Sequence, residues 1–197
     1  MEGFAAVALL LLIGGRAAYS GLLVSLSVFA MLSALGGATG YEHAAYFLCI
    51  KKPLLTVVVF VLLAGLGYFI SQRVSPNHAR LATIFSRTAV VVVNFGFWVG
   101  SLWGDETLSD KMSAWYFIIG WGLVILAAGI WGAKNNLRWL VTTAATFGAI
   151  HLYTHWFEHF EANPLSIIIA GIATIGIAYG LISYNRKAKL EANAVKN

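Results

Sequence analysis

Little in this sequence is charged, and almost none of it is cysteine or proline. The single cysteine, Cys49, excludes an intrachain disulfide and any thiolate cluster, and leaves the redox compartment unspecified. The three prolines, Pro53, Pro76 and Pro164, leave the long apolar runs unbroken. Only 11% of the 197 residues are charged while 59% are hydrophobic, and mean hydropathy is +0.78. That is more apolar surface than one soluble core can hide, so the composition points to lipid. There is no polar stretch long enough for a soluble domain. A leader peptide is disfavoured as well, because residues 3–18 are preceded by Glu2 where such a peptide needs a basic segment.

Present in quantity are seven Trp, eight Tyr, twelve Phe and twenty Gly. Aromatics suit the belts at two membrane interfaces, and glycines suit helices that pack closely. Apolar runs predict an all-α, polytopic transmembrane bundle with spans at about residues 3–18, 20–40, 53–71, 82–103, 114–132, 138–159 and 164–184. The count is seven spans, or six if the short first run does not cross. Proline at a first helical turn costs no hydrogen bond, so Pro53 and Pro164 mark starts. Residues 1–185 read as one membrane domain and 186–197 as a basic cytoplasmic tail that frays.

Alternation of seven spans sorts the loop charges. One side collects Arg16, Arg73, Arg80, Lys134, Arg138 and the tail cations, with Arg87 just inside the membrane; the other has Lys51, Lys52 and Lys111. By the positive-inside rule the N-terminus is outside and the C-terminus inside, and every acidic residue except Glu191 faces outward. The net charge of +5 therefore reflects topology, and no nucleic-acid partner is expected. A weak internal match, Tyr41-Glu42-His43 before Pro53-Leu54 and Tyr153-Thr154-His155 before Pro164-Leu165, raises a 3+1+3 parallel repeat. Sugar transporters of the SWEET type share that count and orientation, although none of their sequence motifs is present.

The run Arg87 to Asp105 is the amphipathic one. At about 100° per residue, Arg87, Asn94, Trp98, Ser101 and Asp105 fall within about 60° of one another, with Gly96, Gly100 and Gly104 opposite. The glycine face permits close approach of another helix, in the same chain or in a homo-oligomer. The polar stripe, with Glu42 and His43 at its outer mouth, is the candidate pathway or binding surface. A second constellation lies at the end of the sixth span, where His151, His155 and His159 recur every four residues with Glu158 on the same face. His155, Glu158 and His159 spell H-x-x-E-H, the arrangement in which two histidines bind zinc and the glutamate activates water. Zinc or another divalent metal is the candidate cofactor, and it needs a third protein ligand. The alternative is a solvated interfacial cluster. The seventh span has no lysine for a Schiff base, which disfavours a retinal protein.

Three segments carry a resemblance: Tyr41-Glu42-His43-Ala44-Ala45-Tyr46, the stretch from Val93 to Asp105 (VNFGFWVGSLWGD), and Trp156-Phe157-Glu158 with Pro164-Leu165-Ser166. In these the chain resembles bacterial inner-membrane proteins grouped as a domain of unknown function. That resemblance implies a multi-pass location in a bacterial inner membrane, and it assigns no catalytic or binding residue. Three functions stay open. A transporter or channel for an ion or small solute is favoured by the polar stripe; the others are a structural or sensory module acting through helix packing and a zinc-dependent membrane hydrolase.

Overall fold

A computed structural model describes residues 2–42, 45–106, 112–160 and 164–194. Among these, seven helices follow one another: α1 Glu2–Ala17, α2 Gly21–Ala34, α3 Pro53–Ser71, α4 Pro76–Trp103, α5 Ala114–Lys134, α6 Arg138–Phe160 and α7 Pro164–Ala194. Two strands, β1 Gly37–Glu42 and β2 Ala45–Ile50, stand between α2 and α3. Helices α3, α4 and α5 are long and apolar enough to cross a membrane, whereas α1, α2 and the Pro164–Gly180 part of α7 are apolar but shorter. The 23 residues of α6 meet the length but are diluted by threonines, histidines and Glu158.

Local chemistry sets the ends. Pro53 and Pro76 each occupy the first turn of their helix, where a locked φ is already helical and a missing N–H costs nothing. Helix α4 therefore begins at Pro76, six residues before the apolar periodicity does. Ser20 caps α2, its hydroxyl accepting from the amide of Leu23 at 3.5 Å. After α2, Gly36 takes φ +95°, a left-handed value that turns the chain out of the helix and into β1.

The strands correct the expected second span. Residues 37–40 were expected to be helical, but they pair with residues 47–50 in an antiparallel hairpin running from Gly37 opposite Ile50 to Glu42 opposite Ala45. Helix α2 is left with 14 residues, about 21 Å of rise against a hydrocarbon thickness of roughly 30 Å. The hairpin also falls within the first half of the expected repeat and has no counterpart at the matched residues of the second. Tyr41 and Glu42 lie in a strand, whereas Tyr153, Thr154 and His155 lie within α6, so the matched residues are not structurally equivalent. The backbone of the basic tail is helical as far as Ala194, continuous with α7 rather than frayed from Asn185.

The chain divides into two compact units, Met1–Trp121 and Gly122–Asn197. In the first, α1 packs on α2, α2 on α4, and α3 along α4. Val28, Phe60 and Val92 are fully buried there. The α3–α4 contact is close because Gly67 has no side chain: a Cβ would stand 3.2 Å from the carbonyl oxygen of Ala82 and from Cβ of Ser86. Ser86 meets the same seam with a hydroxyl that donates to the Ala64 carbonyl at 2.8 Å. In the second unit the rest of α5 lies on α6 through Gly129 and Gly132, where added Cβ atoms would reach Ala144 and Val141. Helix α6 joins α7 through Tyr153, whose hydroxyl is 2.7 Å from that of Thr174.

Candidate functional site

The polar stripe of α4 is built into the protein at three of its positions. Asn94 is 7% exposed, and both ends of its amide are engaged: Nδ2 donates to the Val90 carbonyl at 2.8 Å and Oδ1 accepts from Nε1 of Trp121 at 2.9 Å. Trp121 is fully buried. Two turns further on, Ser101 is buried and its hydroxyl donates back to the carbonyl of Trp98 at 2.7 Å. Trp98 is half-buried, and its indole Nε1 is sealed from solvent with no hydrogen-bond partner among the described residues. Arg87 is exposed, two turns before Asn94.

Asp105 closes the stripe in a way the sequence does not announce. Helix α4 ends at Gly104, whose φ of +73° suits only glycine and whose missing Cβ lets the carbonyl of Met112 come close. Asp105 then pairs with Met112 through two backbone hydrogen bonds of 3.0 Å. Its buried carboxylate accepts from the amide of Leu54 at 3.0 Å. Leu54 is in the first turn of α3, where amides have no intrahelical acceptor and the helix dipole favours a negative charge. Lys52 stands at the N-cap of α3 and contributes no side-chain cap. The remote aspartate does so in its place.

The glycines opposite the stripe pack within the chain. A Cβ on Gly96 would lie 3.0 Å from Cγ2 of Val57 on α3, and one on Gly100 would enter the ring of Phe117 on α5. Phe117 also stands edge-on to Phe97, with centroids 6.4 Å apart.

On α6, the rings of His151 and His155 meet edge to face with centroids 4.7 Å apart, and Nδ1 of His155 is 3.1 Å from a carboxylate oxygen of Glu158. Gly122 makes room for this pair, since a Cβ there would be 3.3 Å from Nε2 of His151. A carboxylate on one ring nitrogen is the usual support behind a metal-ligating histidine. Among the described residues, however, no group of three or more His, Cys, Asp and Glu is placed to hold a metal ion. His43 lies outside the described residues, as do the side chains of Glu42 and His159.

Sequence reasoning identified Asn94, Ser101 and Asp105 but neither of the distant partners. Trp121 had no signal beyond being a tryptophan within an apolar span, and the amide of Leu54 had none except the proline before it.

Compared with family models, curated proteins and solved structures, the chain matches none.

Proposed function

We propose that this is a multi-pass protein of a bacterial inner membrane, N-terminus outside and C-terminus inside, serving as a structural or sensory module through helix packing. Composition, three helices of spanning length and the one-sided arginines and lysines support the location. The observation that carries the module reading is Asn94. An amide that lines a solute path keeps polar atoms available, and here both are bonded within the protein. Asp105 is likewise buried and bonded to a helix terminus.

The test is flux. Full-length protein reconstituted in liposomes holding a pH-sensitive dye, under a potassium or proton gradient, is expected to pass no more ions than empty liposomes. Flux that vanishes in an Asn94→Leu protein still inserted in the bilayer overturns the module and restores the stripe as a path. A conduit for a small solute has one observation in its favour: Nε1 of Trp98 and Oγ1 of Thr56 are buried polar atoms with no hydrogen-bond partner among the described residues. A solute or water would satisfy such groups. On that reading Trp98→Phe lowers flux. A zinc-dependent hydrolase has no comparable support.

A further inference from the structure

A cavity of about 610 Å³ opens among α1, α2, α3 and α4, within the first unit. That volume is in the range of sites that hold small organic ligands. Its wall is aliphatic and aromatic, with Leu12, Val24, Met31, Leu66 and Phe85 representative of all four helices. Two lining residues break the pattern, Arg16 and His78. Both lie at one end, because Arg16 is in the last turn of α1 and His78 in the first turn of α4. Its lining residues on α2, Val24 and Met31, are about 10 Å apart along the helix, as are Leu63 and Ile70 on α3. The cavity is therefore a deep apolar slot with a polar mouth.

Arg16 gives the mouth a positive charge, and no acid is among the described residues that line it. Arg16 and Arg80 make no ion pair among the described residues, and Arg73 lies over the Phe69 ring at 3.7 Å, a contact that keeps its charge. The described acidic groups of this unit lie elsewhere. Glu2 is at the opposite end of α1, Glu42 follows the far end of α2, and Asp105 and Glu106 follow the far end of α4. His78 is steadied by the hydroxyl of Ser75 at 2.9 Å and by the ring of Tyr19, whose φ of 52° sets it at the turn between α1 and α2.

We infer that this slot seats one acyl chain of an anionic phospholipid, with Arg16 and His78 at its headgroup phosphate. An apolar slot of this length matches a hydrocarbon chain, and an unpaired arginine at its mouth matches a phosphate, which guanidinium binds with paired hydrogen bonds. A neutral or cationic occupant would leave the mouth uncompensated. The mouth lies at a headgroup surface if α3 and α4 cross the membrane, so the inference rests on the multi-pass reading above.

Native mass spectrometry of the full chain in detergent, with phosphatidylglycerol or phosphatidylcholine added, tests it. Phosphatidylglycerol adducts are expected to survive collisional activation that strips phosphatidylcholine. Arg16→Gln is expected to weaken phosphatidylglycerol about fivefold, the effect of one cation on an anionic lipid, while Arg16→Lys restores it. Leu66→Trp, which fills the slot from an exposed position, is expected to weaken both lipids. Equal retention of the two lipids, or indifference to Arg16→Gln and Leu66→Trp, overturns the site. Oleate that displaces phosphatidylglycerol at equal concentration overturns it in favour of a free fatty acid. Topology is read separately, by labelling a Gln72→Cys protein in a Cys49→Ser background on sealed vesicles. One-sided labelling without lipid selectivity overturns the slot alone, and labelling from both faces overturns the multi-pass reading instead.

Discussion

The carboxylate of Asp105 accepts a hydrogen bond from the backbone amide of Leu54, 51 residues earlier in the chain. One side chain thereby ties the end of α4 to the start of α3, and the charge sits where the α3 dipole is positive. Asp105→Ala leaves a part-buried amide without its acceptor and should cost about 1–3 kcal/mol. Asp105→Asn keeps an acceptor and loses the charge, so its cost should be smaller. Thermal unfolding in detergent, followed by tryptophan fluorescence or circular dichroism, ranks the two; equal losses would show that charge, and not the hydrogen bond, dominates.

Asn94 and Trp121 form a buried pair, so their substitutions should not add. Asn94→Leu strands an indole N–H, and Trp121→Phe strands an amide oxygen; each should cost about 1–3 kcal/mol. The double variant has no stranded group in the pair and should be less destabilised than the sum, by about 0.5–3 kcal/mol. A double-mutant cycle in denaturant measures this, and additivity would place the hydrogen bond outside the stabilising interactions.

Gly100 and Gly65 predict opposite responses to alanine. At Gly100 the new methyl meets the buried Phe117 ring, and overpacking of this kind costs about 1–3 kcal/mol. Phe117→Leu in the same protein should return part of that loss. Nothing lies within 4 Å of a Cβ on Gly65, so Gly65→Ala should gain about 0.5–1 kcal/mol from helix propensity alone. Melting temperatures of the three variants check the contrast.

Glu158 is 42% exposed and pairs with His155 one turn away, so Glu158→Gln should change stability by less than about 1 kcal/mol. Its informative readout is local: the His155 ring resonances in a labelled sample should move while those of His78, in the other unit, stay in place. Unmoved His155 resonances would contradict the contact.

The helices themselves were legible in the sequence, because a run of apolar residues long enough to approach the thickness of a bilayer has few ways to satisfy its backbone other than helically. Pro53 and Pro164 marked helix starts correctly for the same local reason, and α3 runs over the residues expected, 53–71. The hairpin at residues 37–50 was not legible as such. Its first strand is rich in glycine and its second, AYFLCI, is short and apolar, a run that periodicity cannot distinguish from the end of a span; pairing decides it, and pairing is not local.

In the stretch from Arg87 to Asp105, composition and helical spacing alone determined that one face is polar and the other smooth. Tertiary structure decided what each face touches. The smooth face receives Val57 and Phe117, the polar face gives Asn94 to Trp121, and Asp105, just beyond the helix end, reaches Leu54. The physical reason is that a helix repeats every 3.6 residues whatever surrounds it, so its faces follow from the order of residues, whereas a hydrogen bond over 27 or 51 residues exists only once the intervening helices have packed.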